Sequence, residues 1–252
     1  MKTAIITGAS AGMGREFALH ALRIFPEIEC FWLIARREGR LKELAGDLGG
    51  KKVVCMSLDL CDEQSFDVLE EKLRDDKPEI ALLINNAGCG YLGNVGETPV
   101  DWQTRMTKLN VTALTAVTSL CVPYMARGGH IVNVSSIASF CPNPRMTVYS
   151  STKSYVSAFT RGIREELRAK GVTATAVCPG PMDTEFIELG KIKGRSKTFD
   201  ILPYCDPSSV AEGTLLSAKE GRAFYTPKAF YKLYKFVAKV TPQALMVKFT
   251  KT

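Results

Sequence analysis

Short apolar runs alternate along the chain with longer stretches whose apolar and polar positions follow a helical spacing. The apolar runs lack strict polar–apolar alternation, which is typical of strands buried on both faces of a sheet. We predict strands at 3–7, 30–35, 53–59, 80–86, 130–136, 172–179 and 222–226. Because helices separate these strands, the pattern predicts a doubly wound α/β fold, with helices on both faces of a seven-stranded parallel sheet.

The domain organisation follows from what interrupts this pattern. No linker rich in Pro, Gly or Ser divides the 252 residues, and no internal repeat is visible, so we predict one domain over 1–252. The longest irregular segment, 181–205, is expected to form a lid over the substrate. Residues 228–252 form a basic C-terminal extension.

The net charge of +7 is concentrated near the C-terminus. Residues 222–252 contain no acid and the following basic residues: Arg222, Lys228, Lys232, Lys235, Lys239, Lys248 and Lys251. A nucleic-acid partner is not expected, because such binding normally needs a basic face spread over the fold. Residues 228–240 read as a basic amphipathic helix. Packing of this helix on the core or on a neighbouring subunit is favoured over contact with an anionic membrane.

The N-terminal segment and the cysteines limit the compartment and the chemistry. Residues 1–10 do not resemble a secretory signal, and no apolar run approaches the roughly 20 residues of a membrane helix, so a cytoplasmic location is expected. The eight cysteines form no CxxC pair, and the chain has only two histidines. We therefore expect no metal site and predict free, mostly buried thiols.

A glycine-rich turn links the first predicted strand to a helix. Gly8, Gly12 and Gly14 lie within the sequence TGASAGMG, and helix-forming residues follow from Arg15. Glycines allow close approach of a pyrophosphate, and the N–H groups at a helix start favour its negative charge. Strand, turn and helix in this order predict a dinucleotide site, whereas the glycines alone would also suit an ordinary tight turn.

The end of the second strand indicates which nucleotide is bound. An acid here would accept hydrogen bonds from a free ribose 2′-hydroxyl, but the chain has Ala35 followed by Arg36 and Arg37. Arginine suits the 2′-phosphate of NADP, so NADP(H) is predicted, although both arginines could instead cover the following helix. Asp59 is expected to accept from the adenine amino group, and capping of the helix that begins near Asp62 is an alternative use for such acids.

A tyrosine and a lysine lie four residues apart in a predicted helix over 148–170. Four residues place Tyr149 and Lys153 on one helix face. The lysine, together with an oxidised nicotinamide ring, would favour the tyrosine phenolate and allow proton transfer near neutral pH. Ser136, at the end of the fifth strand, is placed to hold a carbonyl oxygen. The set predicts a site for carbonyl–alcohol chemistry.

With these motifs together, the chain resembles the short-chain dehydrogenase/reductase family over about its first 190 residues. The resemblance rests on TGASAGMG at 7–14, NNAG at 85–88, and Ser136 with Tyr149 and Lys153. It is similar to bacterial hydroxysteroid dehydrogenases and 3-oxoacyl reductases within that family. The resemblance implies a Rossmann-type domain, assembled as a homodimer or homotetramer.

The resemblance also implies roles for individual residues. Tyr149 would protonate the carbonyl oxygen, Lys153 would bind the nicotinamide ribose, and Asn110 would kink a helix and hold a water in a proton relay to Lys153. The catalytic set is thus Asn110, Ser136, Tyr149 and Lys153. The predicted cofactor-binding residues are Gly8, Ser10, Gly12, Met13, Gly14, Arg36, Asp59, Leu60, Asn86, Ala87, Gly88, Tyr149, Lys153, Pro179, Gly180, Met182 and Thr184.

The substrate side is expected to be apolar. The residues placed there by their position are Cys89, Tyr91, Leu92, Ile137, Phe140, Cys141, Met146 and Met182. They favour a hydrophobic ketone or secondary alcohol, such as a steroid, bile acid or acyl chain. The basic stretch 191–197 could approach an anionic substrate, or it could be a solvated loop. Two further hypotheses are a non-catalytic NADP-binding sensor or scaffold, and a reductase recruited to lipid by its basic tail.

Overall fold

The computed structural model describes residues 1–190, 192 and 194–252. Within these residues, seven strands form one sheet in the order β3-β2-β1-β4-β5-β6-β7. The strands are β1 (Lys2–Thr7), β2 (Cys30–Ala35), β3 (Lys52–Ser57), β4 (Glu79–Asn85), β5 (Met125–Val134), β6 (Thr173–Val177) and β7 (Phe224–Tyr225). All neighbouring strands pair in parallel, so the predicted doubly wound α/β fold is confirmed.

Only β2 has the predicted bounds, and the largest difference is in β5. β5 begins at Met125, ahead of the predicted start at 130. The prediction missed this part of the strand because residues 126–129, an alanine, an arginine and two glycines, do not show an apolar strand pattern. Its first residue pairs with Ile80, and the register then shifts before Leu82 pairs with His130. β7 has only two residues and pairs with the end of β6.

Helices follow most strands and cover the sheet. They are α1 (Gly12–Ile24), α2 (Glu38–Asp47), α3 (Gln64–Asp76), α4 (Val100–Thr107), α5 (Leu114–Cys121), α6 (Thr147–Glu166), α7 (Glu185–Leu189), α8 (Lys197–Ile201), α9 (Pro207–Lys219), α10 (Ala229–Val240) and α11 (Gln243–Phe249). A π-helical turn over Lys108–Ala113 joins α4 to α5. The predicted long helix over 148–170 is α6, which ends at Glu166 and is followed by a short 3-10 turn.

The hydrophobic core has two halves, one on each face of the sheet. Successive strand side chains point to opposite faces, so Ile6 packs with Phe17 of α1 while Ile5 packs with Val117 of α5. The first half also contains residues of α2 and α9, and the second contains residues of α3 and α6. Because both faces are covered, every residue of β2 is buried, which accounts for the unbroken apolar runs in the sequence.

The strand order reverses between β1 and β4. The chain builds β1, β2 and β3 outward in one direction, then returns to place β4 on the other side of β1. Such a reversal opens a crevice at the carboxyl ends of the strands, where ligands bind in open α/β sheets.

The predicted lid at 181–205 is less irregular than expected, because it contains α7 and α8. Two residues of its predicted basic stretch, Lys191 and Lys193, lie outside the described residues, as does the side chain of Lys197. Met182 and Cys205 form a parallel bridge that closes the base of the segment.

The C-terminal extension forms two helices. The first, α10, matches the predicted amphipathic helix. Of the two packing partners expected for it, the core does not take its apolar side, and packing on a neighbouring subunit stays a prediction. Helix α10 buries Tyr231 and Ala238 and leaves the apolar side chains on its other side exposed. No helix of the described residues is long and apolar enough to cross a membrane. All eight cysteines are free and five are buried, as predicted.

Candidate functional site

A cavity of about 630 Å³ lies at the carboxyl ends of the parallel strands, on the side where the strand order reverses. It brings together the predicted site residues, with two exceptions, Gly14 and Asn110. The predicted residues that line it are Gly8, Ser10, Gly12, Met13, Arg36, Asp59, Leu60, Asn86, Ala87, Gly88, Ser136, Tyr149, Lys153, Pro179, Gly180, Met182 and Thr184.

Gly14 supports the glycine turn from behind. A Cβ atom at this position would overlap the carbonyl oxygen of Gly8. Asn86 also holds this turn in place, since its Nδ2 donates to the carbonyl oxygens of Thr7 and Gly8 at 3.1 Å each. The third glycine of the motif therefore allows α1 to pack against the turn, instead of facing a ligand.

The turn itself presents an anion-binding arrangement. Gly8 and Gly12 have φ angles of +65° and +52°, which residues with a side chain rarely adopt. Helix α1 begins at Gly12 with no acid in its first turn, so its N–H groups and positive dipole end are not neutralised there. The observed backbone fits a pyrophosphate group.

The two arginines after β2 have different surroundings. Arg37 donates to Glu185 Oε2 at 2.8 Å and to Ser10 Oγ at 3.2 Å, and Arg40 also donates to Glu185. The side chain of Arg36 forms no hydrogen bond or ion pair with any residue that the structure describes, and it lines the cavity. Arg37 precedes α2, but its side chain makes no capping hydrogen bond. Arg36 is therefore the guanidinium that an incoming phosphate can reach.

Asp59 lies just beyond β3 at the same end of the cavity. Its Oδ1 accepts from the Cys61 N–H at 3.0 Å, and its Oδ2 accepts from Arg105 Nη2 at 3.2 Å. Burial opposes ionisation, but these two donors outweigh it and lower the pKa of Asp59. The carboxylate is fixed by local groups beside the cavity, and it does not cap α3, which begins after Glu63.

The predicted catalytic side chains meet at the other end of the cavity. Tyr149 and Lys153 lie one turn apart on α6, and Lys153 Nζ is 5.7 Å from the centre of the Tyr149 ring. The ammonium donates to the Val134 carbonyl oxygen at 2.8 Å, which ties α6 to the end of β5. Ser136 follows that strand, and its hydroxyl accepts from the Ala138 N–H at 3.1 Å.

Burial controls the protonation of this pair. It raises the pKa of Tyr149 to about 12, although a hydrogen bond from Ser136 opposes the increase. It lowers the pKa of Lys153 to about 8. The chain by itself thus shifts the pKa of Tyr149 in the direction opposite to the predicted one. The predicted decrease depends on the positive charge of an oxidised nicotinamide, whereas these residues alone keep the phenol protonated.

Asn110 lies behind the cavity wall, in the π-helical turn. Its Oδ1 accepts from the Cys89 N–H at 2.9 Å, and its Nδ2 donates to the Cys89 carbonyl oxygen at 2.8 Å and to Thr152 Oγ1 at 3.0 Å. Gly88 leaves space beside it, since a Cβ there would lie 3.1 Å from Asn110 Oδ1 and 3.4 Å from Lys153 Nζ. A role of Asn110 in a water relay to Lys153 stays a prediction.

The substrate wall was only partly predicted. Cys89, Tyr91, Ile137, Met146 and Met182 line the cavity. The prediction was wrong for Leu92, Phe140 and Cys141. Leu92 packs with buried residues around Tyr149, and the other two pack under the C-terminal helices.

Other apolar residues, from the lid and the C-terminal helices, complete this wall. They are Phe186, Ile187, Leu189, Phe199, Leu202, Phe230, Tyr231, Tyr234 and Phe249. The signal in the sequence was the presence of large apolar residues in the segments predicted to be a lid and a basic C-terminal extension.

This fold and this site define a class of protein, and comparison with known proteins gives the same class. The family model described as short chain dehydrogenase matches residues 2–190. The chain therefore belongs to the short-chain dehydrogenase family, a family of oxidoreductases, and the resemblance seen in the sequence is confirmed.

Individual relatives match most of this chain. The probable oxidoreductase EphD of Mycobacterium tuberculosis is 30% identical over 264 residues, which cover 95% of this chain but only 43% of EphD. The serine 3-dehydrogenase of Agrobacterium fabrum is 35% identical over 190 residues, or 73% of each chain. A short-chain dehydrogenase from Sphingobium yanoikuyae, solved in complex with NADPH, is 28% identical with a TM-score of 0.82, covering 98% of this chain and 95% of that one.

Proposed function

We propose that this chain is an NADP(H)-dependent oxidoreductase that interconverts a ketone and a secondary alcohol on a hydrophobic substrate. The observation that carries the proposal is the single cavity, which joins the anion-binding glycine turn to the Ser136, Tyr149 and Lys153 side chains. A nucleotide bound at the turn would extend toward these groups, next to the apolar wall.

The three side chains have complementary tasks in carbonyl reduction. Ser136 holds the substrate carbonyl oxygen, and Tyr149, protonated in its buried position, gives its proton to that oxygen. Lys153, fixed by the Val134 carbonyl, holds the nicotinamide ribose and adds positive charge near the phenol. The cofactor supplies the hydride. In the reverse direction the tyrosine takes up the proton of the alcohol.

The preference for NADP(H) rests on the residues after β2. Ala35 offers no carboxylate to a ribose 2′-hydroxyl, and the Arg36 side chain forms no hydrogen bond or ion pair with any described residue. A guanidinium can donate two hydrogen bonds to the 2′-phosphate. The NADPH complex of the Sphingobium yanoikuyae relative supports this choice.

The substrate class rests on the cavity wall. The apolar surface around the catalytic end comes from Phe186, Met146, Ile137 and Phe199. Such a surface suits a hydrophobic ketone such as a steroid, bile acid or acyl chain. The relative named for serine acts on a polar substrate, so serine is included in the test as an alternative substrate. Assembly as a homodimer or homotetramer and a cytoplasmic location remain predictions.

The test is oxidation of NADPH and NADH by the purified protein with a panel of ketosteroids, oxo bile acids, acyl thioesters and simple ketones, and NADP reduction with serine. We expect NADPH-dependent turnover of at least one bulky apolar ketone and none of serine. Turnover of serine alone would overturn the substrate class. Tight NADPH binding without turnover of any compound would favour the sensor hypothesis.

A variant at Arg36 tests the nucleotide preference separately. Arg36→Ala removes the charge that faces the 2′-phosphate, so we expect NADPH affinity to fall about 10- to 100-fold, while NADH affinity changes little. Fluorescence titration of both nucleotides measures the effect. Lys42→Ala is the control, because Lys42 is an exposed cation on α2 that pairs with Glu38 outside the cavity. Equal losses for the two nucleotides would reject the role of Arg36.

A further inference from the structure

Helix α10 presents a continuous apolar surface to solvent, which we call the α10 face. It consists of Phe230, Leu233, Phe236, Val237 and Val240. Leu233 and Phe236 are each 63% exposed, and Val240 is 62% exposed. Single exposed apolar residues are ordinary, but a contiguous group of this kind on one helix indicates an interaction surface.

The core does not compete for these side chains. Tyr231 and Ala238, two turns apart, form the buried stripe of α10, and the Tyr231 hydroxyl donates to the Pro203 carbonyl oxygen at 2.7 Å. At 100° per residue, Leu233 and Val240 lie on the opposite side of the helix from that stripe. A rotation of α10 that buried the α10 face would therefore expose Tyr231 and break its hydrogen bond.

The α10 face continues into the mouth of the cavity. Phe230 is half-exposed and also lines the cavity, as do Phe249 of α11, which is 78% exposed, and Leu189 of the lid. These three side chains face both solvent and the substrate space. The apolar surface is therefore continuous with the wall of the cavity that contains Tyr149.

The charged residues of the C-terminal segment that contains α10 all have one sign. Residues 222–252 contain seven basic residues and no acid. Lys232 and Lys239 are exposed along one edge of the α10 face. Lys235 turns toward the protein, with Nζ 4.2 Å from the centre of the Phe224 ring. An apolar surface with a basic edge is typical of a helix that lies in the interface of an anionic membrane.

We propose that the α10 face docks on an anionic lipid bilayer, with the cavity mouth directed toward the lipid. Negatively charged headgroups complement Lys232 and Lys239, while Leu233, Phe236 and Val240 enter the boundary between headgroups and acyl chains. A second copy of the chain fits less well, because both surfaces of a symmetric contact would carry the same positive edge, and residues 222–252 contain no acid to pair it.

This placement narrows the substrate class, an extension that rests on the proposed function. The substrate would be a membrane-dissolved amphiphile whose carbonyl group enters the cavity between Phe230 and Phe249. Delivery from the bilayer would spare the apolar substrate a passage through water. Docking itself does not depend on turnover, so the two proposals fail independently.

The first test is co-sedimentation of the full chain with vesicles of phosphatidylglycerol and phosphatidylcholine, or of phosphatidylcholine alone. We expect binding to the anionic vesicles only. Leu233→Ser/Phe236→Ser should weaken it about 100-fold, since two large apolar groups no longer enter the bilayer. Lys232→Glu/Lys239→Glu should weaken it at least about 30-fold. Neither variant changes a residue that lines the cavity.

Matched controls separate docking from general effects of charge and surface. Lys77→Glu/Lys170→Glu makes the same change in net charge at exposed positions outside the extension, and Val68→Ser removes an exposed apolar group from α3. Both should bind as the unchanged chain does. The proposal is overturned by absence of binding to anionic vesicles or by equal binding to both vesicle types. A Leu233→Ser/Phe236→Ser protein that changes oligomeric state without any vesicle binding would instead assign the α10 face to a second copy.

The second test addresses delivery of the substrate. For an apolar ketone carried in anionic vesicles, Leu233→Ser/Phe236→Ser should lower the rate of NADPH oxidation about tenfold or more. For a short, water-soluble ketone, the rate should stay unchanged. Equal rates for the vesicle-carried ketone would overturn delivery from the membrane even if docking is observed.

Discussion

Replacing Tyr149 with phenylalanine is expected to lower kcat by about 10²- to 10⁴-fold and to leave NADPH affinity nearly unchanged. The substitution removes only the hydroxyl, which is the group that carries the transferable proton. The ring would remain packed against Phe186, whose centre is 5.6 Å away, so the cavity should keep its shape. Steady-state kinetics and fluorescence titration of NADPH measure the two quantities.

Tyr155→Phe is the matched control on the same helix. Its hydroxyl lies 2.8 Å from Thr115 Oγ1, on the exposed side of α6, and the residue does not line the cavity. We expect its kcat to equal that of the unchanged enzyme. A Tyr149→Phe protein that retained more than about a tenth of the activity would remove Tyr149 from the role of proton donor.

Lys153→Met is expected to change how the stability of the ligand-free chain depends on pH. Below pH 8, Lys153 is charged in both the folded and the unfolded chain. Between pH 8 and 10.5, the folded chain loses this proton while the unfolded chain keeps it, because burial lowers the folded pKa from 10.5 to about 8. The unfolded state then binds more protons, so this group makes the free energy of unfolding rise with pH.

The measurement is urea unfolding of both proteins at several pH values. The difference in unfolding free energy between the unchanged chain and Lys153→Met should rise by about 3 kcal/mol from pH 8 to 10.5. Tyr149, whose raised pKa acts above pH 10 and with the opposite sign, is present in both proteins and cancels. Lys170→Met, which removes an exposed lysine, controls for the change in net charge. A difference that stays constant with pH would show that Lys153 is not held in a desolvated position.

The sheet could be predicted because its physical cause is local. A strand covered on both faces must be apolar at every position, as β2 is. Because a helix connects each such strand to the next, the strands are expected to pair in parallel. The prediction failed where an element depends on contacts with residues distant in the sequence. β5 extends back past Gly128 and Gly129 to Met125, which pairs with Ile80 of β4 before the register shifts. Helix α11 was missed because it is short and packs through Met246.

The catalytic end could be predicted for a related reason. Ser136 and Asn86 follow neighbouring strands, and the carboxyl ends of parallel strands meet at one edge, so residues distant in sequence become neighbours. The substrate wall depends instead on how the lid and the C-terminal helices fold back. Nothing in the local sequence shows that Phe249 lines the cavity. Nor does it show that Phe140 packs instead against Tyr234 of α10, with the ring centres 5.9 Å apart. Such contacts are decided by tertiary packing alone.

Glu185, the first residue of α7, connects the lid to the nucleotide end of the cleft. Its carboxylate is held by Arg40 and Arg37, which lower its pKa, and Arg37 also donates to Ser10 in the glycine turn. Exposed ion pairs contribute only about 0–1 kcal/mol each to stability, so thermal motion is sufficient to break the ion pairs of Glu185. While these ion pairs are formed, they attach the lid to Arg37, which contacts the nucleotide turn. Movement of the lid away from this position would therefore also release Arg37, the residue that contacts Ser10 in the nucleotide turn.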